Sequence, residues 1–362
     1  MQSRTRIMEA IQGGSPDRMP VSPFTLGALD FLSAMAQELI AETDPLVRTT
    51  GGIDPFIGSA VTQRVVQDGN TTVTSLITPK GELTTRWRKT SITEAPVEYG
   101  IKTLEDAERF LSMPYSCDGV DPSAYYKWCS RIGNEGLVLV EVPNAICLPA
   151  QWLSPEDFCV WTLDYPELVL ELTRVGSERV SEYVDRLCRE GVEAFRIIGA
   201  EYAVTQLGPT GFDKLVAQFD AELVDLIHSH GAIAYYHCHG CVTAYLEKLA
   251  DIGMDALDPL EAAPWGDTEI GEAVRKMDGR VCLVGNLDDM EIINALPTQQ
   301  VLEIAEERLL AAGDSRFILG GTASGTYTEH GARNFIAMAD MVRDRTRSAA
   351  ASVNTTELSL VR

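Results

Sequence analysis

From residue 130 onward, short apolar runs alternate with stretches of helical spacing, and this alternation constrains the fold more than any other feature of the sequence. The runs cover 137–142, 194–198, 232–236, 255–258, 281–285 and 316–320. Between them, 166–190, 211–230, 242–252, 268–277, 298–312 and 331–342 repeat apolar residues at three- and four-residue intervals, the period of a helix packed on one face. A βα unit therefore recurs every roughly 30 to 45 residues. Adding 18–24 and 55–57 as the first two strands predicts eight strands. Right-handed crossovers then favour a closed (β/α)8 TIM barrel over an open doubly wound sheet. No Gly-x-Gly-x-x-Gly follows the first strand, which argues against a dinucleotide-binding fold.

Residues 61–100 break the repeat. Thr71-Thr-Val-Thr-Ser-Leu-Ile-Thr78 and Glu82-Leu-Thr-Thr-Arg-Trp87 alternate on either side of the turn Pro79-Lys-Gly81, so a β-hairpin is expected to be inserted at 70–88. The barrel domain is expected to span 1–345. Residues 346–362 lose periodicity and read as a flexible tail.

Thirty basic against 53 acidic residues give a net charge of −23, which repels nucleic-acid phosphates and anionic lipid. Neither kind of partner is expected. The first ten residues lack a signal-peptide core, and no apolar run reaches about 18 residues, so the expected location is the cytoplasm. Homo-oligomer formation is left open. Eight cysteines are scattered without a disulfide framework and read mainly as reduced core residues. Cys238-His-Gly-Cys241 has the C-x-x-C spacing of redox dithiols, but nothing nearby completes a zinc knuckle.

In (β/α)8 enzymes the chemistry gathers where strands end, because the loops there converge on one mouth. Those positions hold Glu141, Glu201, His237 with His239, Asp258 with Glu261, and Asn286 with Asp288. Side chains alternate along a strand, so His237 and His239 fall on one side of Tyr236-His-Cys-His-Gly240 and form half of a metal site. A lone carboxylate at a strand end is more often a helix cap or ion-pair partner, and two histidines in a turn are often simply hydrogen-bonded. Their gathering on one rim gives the set its weight.

The motifs Gly14-Ser-Pro-Asp-Arg-Met-Pro-Val21, Thr78-Pro-Lys-Gly-Glu-Leu83, Ile101-Lys-Thr-Leu-Glu-Asp106, Ala200-Glu-Tyr-Ala-Val-Thr-Gln206, His237-Cys-His-Gly240, Gly253-Met-Asp255 and Gly285-Asn-Leu-Asp288 run through most of the chain. In them the sequence resembles the uroporphyrinogen decarboxylase superfamily, and within it the cobamide-dependent (corrinoid-dependent) methyltransferases. The decarboxylase branch's Arg-Gln-Ala-Gly-Arg is replaced by Ser22-Pro-Phe-Thr-Leu-Gly-Ala28, and its Gly-His-Gly by Gly320-Gly-Thr-Ala-Ser-Gly325. A polyanionic tetrapyrrole would meet too few arginines in such a pocket.

The resemblance implies zinc held through His-x-Cys-Gly and a later cysteine. Here His239 stands in the cysteine place, and Thr322, Ala323 and Ser324 occupy the region of the second cysteine. The expected ligands are His237, His239 and Glu201, with Glu261 as the second choice for the third position. Glu141 and Glu261 are the expected catalytic carboxylates, and Tyr202, Tyr236 and Asn286 the expected substrate contacts. Imidazoles and a carboxylate leave zinc a stronger Lewis acid than thiolates would. The expected activity is O-demethylation, moving a methyl group from a small methoxylated substrate to the cobalt(I) corrinoid (cobalamin type) of a partner protein. The alternatives are methyl transfer from a methyl-corrinoid to a thiol or folate, a decarboxylase, and a non-catalytic tetrapyrrole-binding barrel.

Overall fold

In this computed structural model, which describes residues 1–91 and 93–360, the strands are β1 (Val21–Ser22), β2 (Leu46–Thr49), β3 (Thr62–Asp68), β4 (Thr71–Thr78), β5 (Gly81–Lys89), β6 (Glu94–Glu98), β7 (Leu137–Pro143), β8 (Ala194–Ile198), β9 (Ile233–Cys238), β10 (Ala256–Pro259), β11 (Cys282–Leu287) and β12 (Phe317–Gly321). Eight of them form one sheet in the order β1-β12-β11-β10-β9-β8-β7-β2. Its edges meet where Thr25 donates to the Leu46 carbonyl at 2.7 Å and Leu46 donates to Pro23 at 3.0 Å. The fold is a (β/α)8 TIM barrel. Strands β9 and β11 are buried along their whole length, as expected when both faces of a parallel strand are covered.

The chain divides into two compact units. The first comprises Met1–Thr49, Tyr125–Val140 and Ala234–Arg362. Asp44, fully buried, organises its amino-terminal part. One carboxylate oxygen takes Arg6 Nη1 at 2.6 Å, and the other takes Arg18 Nη1 at 2.7 Å and the Val21 amide at 2.9 Å. Arg6 Nε also donates to Asp17 at 2.6 Å. The Gly14–Val21 motif thus fixes where β1 begins.

The second unit comprises Thr50–Ala124 and Glu141–Ile233. Its longest helix, Pro166–Arg189, opens on a proline and ends with Arg186 and Arg189 in the last turn, both favourable ends for a helix. It buries Val169, Leu172, Val180, Tyr183, Val184 and Leu187 at helical spacing. Gly176 lets this helix approach closely, since a Cβ there would lie 2.7 Å from the Ala145 carbonyl.

Two expectations about strands need correction. Residues 55–57 are a turn, because the Asp54 side chain accepts from the amides of Phe56 at 2.7 Å and Ile57 at 3.0 Å and bends the chain. The second barrel strand is β2, which pairs with β7 from Leu46↔Leu137 to Thr49↔Val140. The inserted hairpin is also larger than expected. Strands β4 and β5 pair as the sequence indicates, and β3 and β6 extend them into a four-stranded antiparallel sheet. Helix Glu329–Leu360 runs through most of the segment read as a tail, and Val361 and Arg362 lie outside the described residues. Among the described residues, no helix is long and apolar enough to cross a membrane.

Candidate active site

His237 is the fifth residue of β9, and its register partner on β10 is Asp258. The two side chains therefore share a face, and His237 Nδ1 lies 2.5 Å from Asp258 Oδ1. Two residues on, His239 Nδ1 lies 2.9 Å from Glu261 Oε1, while the other oxygen of Glu261 accepts the Gly240 amide at 2.8 Å. The imidazole rings stand edge to face with centroids 4.2 Å apart. A carboxylate accepts, so each ring donates through Nδ1, and a neutral ring then carries its lone pair on Nε2. The His237 side chain is 7% exposed and that of His239 is 43% exposed, so the pair runs from the interior to solvent.

Burial works to raise the Glu261 carboxyl pKa. The His239 hydrogen bond, the Gly240 amide and the nearby histidine rings outweigh it and hold the group below the usual carboxylate range. Glu261, an expected catalytic carboxylate and second-choice ligand, thus accepts from both His239 and Gly240, bonds that orient the ring.

Asn286, expected to touch substrate, also ties parts of the protein together. Its amide donates to the carbonyls of Leu260 at 2.9 Å and Thr268 at 3.3 Å, and its oxygen accepts from Arg308 Nε at 2.9 Å. Thr268 in turn donates its amide to the backbone carbonyl of Glu261 at 2.9 Å. Arg308, Asn286, the 260–268 loop, Glu261 and His239 therefore form one connected set. Tyr236 is fully buried and, by strand alternation, points to the face opposite His237, which places it in packing and not beside the histidines.

After β12, where the resemblance implies a second cysteine, Asp289 anchors the loop. One of its oxygens accepts from the Ser324 amide at 2.9 Å, the Ser324 hydroxyl at 2.8 Å and the Gly325 amide at 3.0 Å. The other lies 1.7 Å from where a Cβ at Gly321 would be, so a larger residue there would push the carboxylate aside. Burial pushes the Asp289 carboxyl pKa up despite these donors.

In the second unit, Glu141 is ion-paired with Arg196 Nη1, and Arg196 is almost fully buried. Glu201 heads the helix Glu201–Gln206 and accepts the Gly199 amide at 3.1 Å. Burial pushes the Tyr202 phenol up to about 12, so it stays a hydrogen-bond donor at neutral pH. Sequence reasoning passed over Arg196, although a charged residue in the centre of the apolar run 194–198 is itself a signal of a buried ion pair. It also left Asp258 without a role.

Among the described residues, no group of three or more His, Cys, Asp and Glu side chains is arranged to hold a metal ion. The donor chemistry of the histidine pair nevertheless fits zinc: two imidazoles, each oriented by a carboxylate on its other nitrogen, is the usual setting of metal-bound histidine. None of the eight cysteines is in a disulfide; Cys238 is buried and Cys241 exposed.

The structure is similar to a methyltransferase from Methanosarcina mazei, with a TM-score of 0.66 at 13% identity over 94% of this chain and 99% of that one. It is also similar to a B12-independent methionine synthase from a Shewanella species, solved with selenomethionine, with a TM-score of 0.52 at 13% identity over 91% of this chain and 99% of that one. At such identities the likeness is one of fold. No curated protein matches the sequence. The family described as Uroporphyrinogen decarboxylase (URO-D) matches residues 146–345. With more than half of its residues inside that match, the chain belongs to the URO-D family.

Proposed function

We propose that this URO-D family protein is a zinc methyltransferase that takes a methyl group from a small oxygen-methylated substrate and passes it to a reduced corrinoid on a partner protein. The observation that carries the reading is the His237–His239 pair at the end of β9, each ring oriented by its own carboxylate. Zinc bound there would supply Lewis acidity toward the oxygen that loses its methyl group. His237 and His239 would hold it through Nε2, while Asp258 and Glu261 fix the ring planes. The decarboxylase reading is weakened further by Arg196, whose charge is already met by Glu141.

A screen of methyl ethers with free reduced corrinoid, followed by the absorbance of the methylated product, tests the activity. Zinc content tests the site: wild-type protein should hold about one zinc per chain and His237→Ala should lose it. Protein prepared without chelator that neither holds zinc nor gains activity from it would overturn the reading. Transfer from methyl-corrinoid to a thiol, with no reaction from any ether, would reverse the assigned direction.

A further inference from the structure

The four-stranded sheet of the second unit has two edges of opposite character. Strand β6 carries Pro96 at its centre, and its pairing with β5 shifts register at Arg86/Trp87, two features that discourage further strand pairing. Strand β3 has neither. It pairs without interruption with β4, from Thr62↔Ile77 to Asp68↔Thr71, and among the described residues the sheet order places no strand on its other side. All seven of its residues are exposed, with Val65 at 60% and Val66 at 53%, and it holds no proline and no lysine.

We propose that β3 is a self-association edge: two copies of this chain pair antiparallel through Thr62–Asp68 about a two-fold axis at Val66, joining two four-stranded sheets into one. The register follows from charge. In an antiparallel pair, residues directly opposite share a face. A dyad at Val66 sets Arg64 of each copy opposite Asp68 of the other, twice over, and sets Val66 against itself. A dyad at Val65 would face Arg64 with a valine, and one at Arg64 would face two guanidinium groups. Only the Val66 register makes the edge complementary to itself.

The charge of the surrounding segment points to the same occupant. Residues 62–98 hold five basic side chains (Arg64, Lys80, Arg86, Arg88, Lys89) and four acidic ones (Asp68, Glu82, Glu94, Glu98), nearly neutral within a chain of net charge −23. Two copies that repel elsewhere meet least repulsion here. A single strand pair buries little area by the standard of stable dimers, so the association is concentration-dependent and weakened by salt. The inference does not depend on the proposed activity.

Sedimentation equilibrium of the full chain over a range of concentrations tests it. Wild type should dimerise reversibly. Arg64→Asp and Asp68→Arg, each at an exposed position, place like charges opposite one another and should each weaken the dimer about tenfold or more. The double variant Arg64→Asp/Asp68→Arg should recover it, which a general surface effect would not do. A wild-type protein that stays monomeric, a dimer indifferent to the single reversals, or a double variant that fails to recover would each overturn the proposal.

Discussion

At the residue scale, the candidate site is a set of hydrogen bonds made by side chains far apart in sequence. Glu261 accepts from His239 and from the Gly240 amide with separate oxygens, so its removal frees the ring to rotate and leaves the amide without its acceptor. Glu261→Ala should weaken zinc binding about 10- to 100-fold, the usual effect of losing a group that orients a ligand, while circular dichroism stays native. Titration of the apo-protein with zinc checks it, and undiminished affinity would separate Glu261 from the metal. Asp44 is a different case, a buried carboxylate holding two guanidinium groups. Asp44→Ala would take the carboxylate from Arg18 and leave Arg6 with Asp17 alone, and should cost about 3–5 kcal/mol in denaturant unfolding.

At the scale of elements, close approach decides which sequences can form the contacts. Helix Pro166–Arg189 rests on the Ala145 carbonyl at Gly176, where a methyl group would sit 2.7 Å from backbone oxygen. Gly176→Ala should therefore destabilise by about 1–3 kcal/mol, even though alanine is the better helix former. A neutral or stabilising result in urea melts would show that the helix shifts freely. The same logic explains why the loop after β12 is anchored and not open. Gly321 leaves room for the Asp289 carboxylate, and that carboxylate gathers the donors of Ser324 and Gly325.

At the scale of the whole molecule, Asp289 makes stability depend on pH in an unusual direction. Its folded pKa lies above the ordinary carboxylate value because of burial, so the folded protein binds the proton more tightly than the unfolded chain does. The contribution of this group is most favourable below the unfolded pKa of about 4 and declines as pH rises through the window up to the raised folded value. Asp289→Asn removes the titration. Over a range of pH rising from about 4, the stability of the variant relative to wild type should therefore rise in paired denaturant melts. A flat difference across that range would show that Asp289 does not titrate in it.

The sequence by itself determined the repeating βα architecture, because a period of two or of three to four residues is a local property that a buried face imposes on its own segment. It also determined that His237 and His239 share a side, since strand alternation requires it. Tertiary structure alone decided what those histidines meet. Asp258 and Glu261 are 21 and 22 residues further along the chain, and only the β9–β10 register brings them within hydrogen-bonding distance. It likewise decided that Asn286 ties a loop and that Arg196 pairs with Glu141. Strand β2, four residues long, carries too little pattern to be read in advance. It becomes a strand because β7 lies alongside it, while Asp54 turns the more apolar segment that follows. Periodicity fixes which face of an element is buried, and the neighbour packed against that face fixes what each polar side chain does there.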